Sequence, residues 1–181
     1  AIKDLDNSGL SILEISHRSE KFSEIITKAK NLALQISDLK RSEYEVLFLQ
    51  GGASHQYLMV ASNFLNDVAG YVNTGTWSEK AIGEAKYYGN VIEVASSKDK
   101  NHTYIPKEIK VLEELDYLHI TSNNTIFGTQ FHTFPDTNSP LVADMSSDIF
   151  SRKINFSNFD LIYAGAQKNI GAAGVTMVIL K

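Results

Sequence analysis

Short, continuous apolar runs alternate with helix-length amphipathic stretches along the first half of this chain, and that alternation constrains its fold more than any other feature. Glu45 to Leu49 (Glu-Val-Leu-Phe-Leu) is one such run, Val68 to Val72 a second and Asn90 to Ala95 a third. Between them, His55 to Leu65 and a stretch reaching Tyr88, with Ser78 as its expected N-cap, read as helices. Ahead of them, Phe22, Ile25, Ile26, Ala29, Leu32, Ala33 and Ile36 recur at helical spacing within Glu20 to Leu39. Tyr117 to Thr121, Leu141 to Ala143 and Leu161 to Ala164 are three further strands, and Lys98 to Lys110 reads as a polar loop. Strands that are apolar on both faces and separated by helices pack as a parallel sheet with helices over it. The last pair, Leu161–Ala164 and Gly174–Leu180, is different. The loop between them is too short for a parallel crossover, which needs about a dozen residues or more, so the pair is antiparallel. The expected fold class is α/β, a mainly parallel mixed sheet with one antiparallel strand, flanked by helices.

Composition narrows the function classes. The chain has 181 residues, of which 43% are hydrophobic, enough for one sizeable core. A net charge of -4 with no basic block argues against nucleic acid as a partner. The apolar runs are too short to span a membrane, and no secretory signal pattern opens the chain. Cysteine is absent, which excludes disulfides and thiolate metal sites. His55, His102, His119 and His132 lack metal-ligand spacing, so no metal site is expected, and His119, inside an apolar run, reads as a satisfied core histidine. Glu113-Glu114 reads as part of a solvated face. A cytoplasmic location follows from these features together. The chain begins mid-pattern without Met and stops inside a strand, so it is expected to be part of a longer protein.

In open α/β sheets, ligands bind beyond the carboxyl ends of the strands, and the polar residues there form a set. Gly51-Gly52-Ala53-Ser54-His55 follows the first strand and opens a helix, where free N–H groups and the helix dipole suit a phosphate; a plain turn is the alternative. Trp77 follows Asn73-Thr74-Gly75-Thr76 and could stack on a flat ring or simply fill the core. Ser122-Asn123-Asn124-Thr125 brings hydrogen-bonding side chains, or no more than a polar turn. Asp144 ends an apolar strand, where a buried carboxylate needs a partner such as a protonated ring nitrogen; an N-cap or surface position is the alternative. Lys168, in Tyr163-Ala164-Gly165-Ala166-Gln167-Lys168-Asn169-Ile170-Gly171, sits beside apolar and small residues. There a desolvated amine could act as a nucleophile and form a Schiff base, unless it is a solvated loop lysine. A nucleophilic amine, a carboxylate for a pyridinium, a stacking aromatic and a phosphate cradle are what pyridoxal 5'-phosphate requires.

Five segments carry a resemblance. They are Glu14-Ile15-Ser16-His17-Arg18, Leu49-Gln50-Gly51-Gly52-Ala53-Ser54, Asn123 to Gly128, Ala143-Asp144-Met145-Ser146-Ser147, and Tyr163 to Gly171. With them the chain resembles the phosphoserine aminotransferase family, pyridoxal-phosphate enzymes of the aspartate-aminotransferase-like fold. The resemblance covers that family's N-terminal half. It implies that residues 1–181 are the cofactor-binding large domain, incomplete and without the small C-terminal domain. It also implies a Schiff-base role for Lys168, a ring-nitrogen partner in Asp144 and a stacking role for Trp77. Ala53 and Ser54 would contact the cofactor phosphate, and Thr125 and Gln167 the cofactor elsewhere. Arg18, with His17 beside it, would bind the distal charged group of the substrate, the carboxylate of glutamate or the phosphate of phosphoserine. Some members have arginine where this chain has Ser54, so substrate-phosphate recognition here would lean on Arg18 and His17. The implied reaction converts 3-phosphohydroxypyruvate and L-glutamate to O-phospho-L-serine and 2-oxoglutarate, in a homodimer with shared sites. The vitamin B6 pathway offers a second substrate. The alternatives are another class-V aminotransferase, such as an alanine–glyoxylate type, or a catalytically silent domain.

Overall fold

A computed structural model describes residues 3–109, 111 and 114–181. Lys110, the end of the expected polar loop, and Glu113 lie outside the described residues; Glu114 is exposed. Among the described residues, one sheet is built from β1 (Glu45–Gln50), β2 (Val68–Asn73), β3 (Asn90–Ser96), β4 (Tyr117–Thr121), β7 (Leu141–Asp144), β8 (Leu161–Gly165) and β9 (Val175–Leu180). A small hairpin pairs β5 (Asn123–Asn124) with β6 (Thr129–Gln130). The helices are α1 (Glu20–Ser37), α2 (Ser54–Phe64) and α3 (Thr76–Ala85). The sheet order is β1-β9-β8-β7-β4-β2-β3. From β8 to β3 all neighbours are parallel, and β9 alone runs antiparallel to both β8 and β1. That is the mixed sheet expected from the apolar runs.

The layers follow from the same patterning. The central strands β4, β7 and β8 are buried at every residue, because helices or loops cover both faces. On one face, Ala33 and Leu34 of α1 pack with Val46, Ile120, Phe159 and Ile162. On the other, Tyr57 and Val60 of α2 and Ala81 and Ile82 of α3 pack over Tyr71, Tyr117 and Tyr163. Ser19 caps α1 by accepting the Phe22 N–H at 3.2 Å.

Two boundaries differ from the sequence reading. Helix α3 begins at Thr76, so Ser78 is not its N-cap. From inside the first turn, the Ser78 hydroxyl accepts the N–H groups of Thr74 at 2.9 Å and Gly75 at 3.0 Å, satisfying the approach to the helix rather than its end. The helix also stops at Ala85 instead of reaching Tyr88, since Tyr87 is 84% exposed and has no face to bury. The β5–β6 hairpin has no counterpart in the sequence reading, because two-residue strands carry no readable period.

Candidate active site

Because β4, β7 and β8 run parallel in adjacent positions, their carboxyl ends share one edge of the sheet. Thr121 pairs in register with Asp144, and Asp144 with Tyr163. Beyond that edge lies a cavity of about 140 Å³. Thr121, Asp144 and Ser146 line it from the strand ends, Gly52, Ala53, Ser54 and Tyr57 from the β1–α2 turn, and Trp77 from the first turn of α3. Asn123, Ser147, Gln167 and Lys168 complete it. A larger hollow of about 390 Å³ opens near Asn63, Asp116 and Lys181, at the other ends of the strands, without a comparable gathering of reactive groups. Size therefore does not select the site; chemistry does.

Asp144 is 5% exposed. Its Oδ1 accepts the Ser146 N–H at 2.9 Å and the Ser146 hydroxyl at 2.6 Å. Burial pushes its carboxyl above the ordinary range, while the two Ser146 bonds and the charge of Lys168 pull it down. Among the described residues no Lys, Arg or His forms an ion pair with it. Asp144 is thus neither an N-cap nor a surface carboxylate. Tyr57 packs beside it, and burial, then the Asp144 charge, raises that phenol above its usual value.

Lys168 is exposed at the mouth of the site, the solvated-loop setting rather than the desolvated one of the two that the sequence left open. The loop after β8 carries its side chain out of the apolar layer, with Nζ donating to Thr125 Oγ1 at 3.4 Å and lying 5.7 Å from the Trp77 ring centroid. Thr125 itself is outside the cavity lining. On the opposite side, the β1–α2 turn is held by β9: Gly51 N–H donates to Gly174 O at 2.9 Å, and Thr176 Oγ1 donates to Gly51 O at 2.9 Å. Gly51 adopts φ +100°, and a Cβ there would collide with His55 Nδ1, so the turn requires glycine. The first backbone bonds of the turn run from His55 to Gly52 and from Gln56 to Ala53. Among the described residues, the N–H groups of Ala53 and Ser54 therefore have no backbone acceptor, as expected at the start of a helix. Gly165 lies so near that an added Cβ would come within 3.3 Å of Ala53 N, which brings the lysine-bearing strand against this turn.

The donor set fits a flat, phosphorylated pyridine. Thr121 Oγ1 and Trp77 Nε1 are buried polar atoms without a partner among the described residues, and both residues line the cavity. Asp144 supplies a buried carboxyl group, and the start of α2 supplies open N–H groups for an anion. No cluster of metal-ligating side chains occurs among the described residues. The cavity brings together Ala53, Ser54, Trp77, Asp144, Gln167 and Lys168. It does not include Arg18 or His17, which are exposed on the segment before α1. Tyr57, Thr121 and Ser146 are lining residues that the sequence reading missed as site residues. Only Ser146 left a trace there, as a hydroxyl two residues after a carboxylate, the spacing of an Asx-type turn.

This arrangement, a carboxylate and a lysine at adjacent ends of a mixed sheet facing a helix start, belongs to a known class of protein. The chain is a member of the class-V aminotransferase family, which it matches over residues 4–181. Within that class its relatives are phosphoserine aminotransferases. The one from Flavobacterium johnsoniae is 55% identical over the whole of this chain and 51% of its own length. The solved phosphoserine aminotransferase from Bacillus circulans subsp. alkalophilus superposes with a TM-score of 0.93 at 46% identity, covering 97% of this chain and 50% of that one. The pyridoxal-phosphate-bound enzyme from Trichomonas vaginalis gives 0.90 at 34%, covering 99% and 52%. The chain thus spans about half the length of the relatives it matches.

Proposed function

We propose that residues 1–181 form the cofactor-binding large domain of a pyridoxal 5'-phosphate-dependent transaminase. The reaction converts 3-phosphohydroxypyruvate and L-glutamate to O-phospho-L-serine and 2-oxoglutarate, in serine biosynthesis. The observation that carries the reading is the convergence of Lys168, Asp144, Trp77 and the start of α2 on one cavity. When bound, the cofactor supplies an electrophilic carbon for amines and a ring that accepts an electron pair. Lys168 would offer Nζ as the amine that holds the cofactor and as a group able to take up and return a proton. Asp144 holds the proton on the ring nitrogen. Trp77 covers the ring, the N–H groups of Ala53 and Ser54 receive the phosphate, and Thr125 and Gln167 add polar contacts. Arg18, with His17, takes the distal carboxylate or phosphate of the substrate, a role supported by the resemblance of the Glu14–Arg18 segment and suited to a bidentate guanidinium. The phosphorylated threonine precursor of vitamin B6 is a second substrate of the same chemistry. The assembly is a cytoplasmic homodimer; no described helix is long and apolar enough to cross a membrane.

The test is an absorbance spectrum of the full-length protein that contains this chain. A yellow protein that loses its visible band in Lys168→Ala supports the reading; one that stays colourless with added pyridoxal phosphate overturns it. Substrate class is tested separately. Arg18→Ala should raise KM for glutamate and phosphoserine far more than for alanine, whereas equal loss on all three substrates points to a different aminotransferase of the class.

A further inference from the structure

One hydroxyl links the strand that leads to Lys168 with the carboxylate on the neighbouring strand. Ser146 follows β7, and its Oγ accepts the Gly165 N–H at 3.0 Å, at the end of β8. The same hydroxyl donates to Asp144 Oδ1 at 2.6 Å. Because Gly165 already supplies a proton to Oγ, the hydroxyl's own proton is committed to Asp144. The direction of the chain is therefore fixed: Gly165 N–H to Ser146 Oγ, and Ser146 O–H to Asp144 Oδ1. Bonds arranged head to tail in a buried setting polarise one another. The Ser146 N–H adds a second donor to the same oxygen at 2.9 Å.

We propose that Ser146 is a positioning residue that orients the Asp144 carboxylate and keeps it charged for the cofactor's ring nitrogen. A carboxylate 5% exposed, with no ion-pair partner among the described residues, is costly to keep ionised. Two donors on Oδ1 offset part of that cost. The other groups acting on Asp144 do not replace them. Lys168 favours its charge from the loop after β8, and Asp148, on the segment after β7, opposes it. Tyr57 of α2 and Tyr163 of β8 also face it, with their own ionisation suppressed by burial and by its charge. His119 of β4 is turned to Tyr163, its Nε2 lying 2.8 Å from that hydroxyl.

This inference rests on the cofactor reading above. Its test compares the full-length protein with Ser146→Ala and Ser146→Thr, measuring the pyridoxal phosphate dissociation constant across the acid range and the melting temperature of the cofactor-free form. Loss of a hydrogen bond to a charged group should weaken cofactor binding roughly tenfold or more in Ser146→Ala. It should also move the acid limb of binding to higher pH, because the carboxyl would then protonate sooner. Ser146→Thr, which keeps the hydroxyl, should restore both. A lower melting temperature in Ser146→Ala with unchanged affinity and an unshifted acid limb would make Ser146 merely structural and overturn the inference. Wild-type protein that binds no pyridoxal phosphate at any pH overturns the cofactor reading as well, so the two failures are distinct.

Discussion

Asp144 shows at the scale of one residue how function and stability diverge. Its carboxyl is held above the ordinary value by burial. The sign follows: a raised carboxyl pKa means that the folded state holds the proton more tightly than the unfolded chain. Stability therefore falls as pH rises from 3.8 through the folded value. Asp144→Asn removes the charge at nearly constant shape. The cofactor-free variant should lose this decline of stability with rising pH and bind pyridoxal phosphate more weakly, as urea unfolding at a series of pH values and cofactor titration would show. Gly51 makes a purely conformational prediction. With φ at +100° and His55 Nδ1 in the space a Cβ would need, Gly51→Ala should cost about 1–3 kcal/mol in urea unfolding. Adding His55→Ala should recover only the steric part. Sequence reading finds Asp144 and Lys168 because each polar residue interrupts a pattern of apolar or small neighbours. It misses Tyr57 and Thr121 because their place in the site depends on how α2 and β4 lie against β7, which no local pattern records. It leaves the setting of Lys168 open between desolvated and solvated because composition nearby cannot say which way a loop turns its side chain.

At the scale of elements, strands β2, β4 and β8, with β7 between the last two, bury a cluster of polar rings beneath α2 and α3. The Tyr71 and Tyr117 hydroxyls lie 2.7 Å apart, His119 stacks on Tyr71 with centroids at 4.9 Å, and His119 Nε2 meets the Tyr163 hydroxyl at 2.8 Å. Burial lowers the His119 pKa from 6.5 to about 3. Between those values the unfolded chain binds a proton that the folded state refuses, so stability falls as pH drops through that window. His119→Gln should flatten the acid-side decline of unfolding free energy by up to about 1.4 kcal/mol per pH unit, measured by urea unfolding at a series of pH values. An unchanged slope would mean that His119 does not carry this proton linkage. The strands of this core are legible in the sequence as uninterrupted apolar runs, and the antiparallel β9 from the length of one loop. The reading of His119 as a satisfied core histidine holds for Nε2, whereas its Nδ1 has no partner among the described residues. The start of α3 is misplaced from sequence because Ser78 has capping chemistry but spends it on Thr74 and Gly75.

For the whole molecule, the charge balance of the cavity bears on the proposed homodimer. Among the described residues that line the cavity, Lys168 is the one cation and Asp144 the one carboxylic acid. A phosphate dianion would thus be met here chiefly by backbone N–H groups, which suits the proposed homodimer with shared sites. Residues 1–181 alone should accordingly bind pyridoxal phosphate at least about tenfold more weakly than the full-length protein. Dilution of the full-length protein to monomer should release cofactor, as equilibrium dialysis at descending protein concentrations would detect. The central claim, that Lys168 is the lysine which tethers the cofactor, has a more direct test. Borohydride reduction of the full-length protein loaded with pyridoxal phosphate, followed by proteolysis and mass spectrometry, should place the cofactor's mass on the peptide that carries Lys168 and on no other. Reduced cofactor on a different lysine, or none on any peptide of a yellow protein, would contradict it.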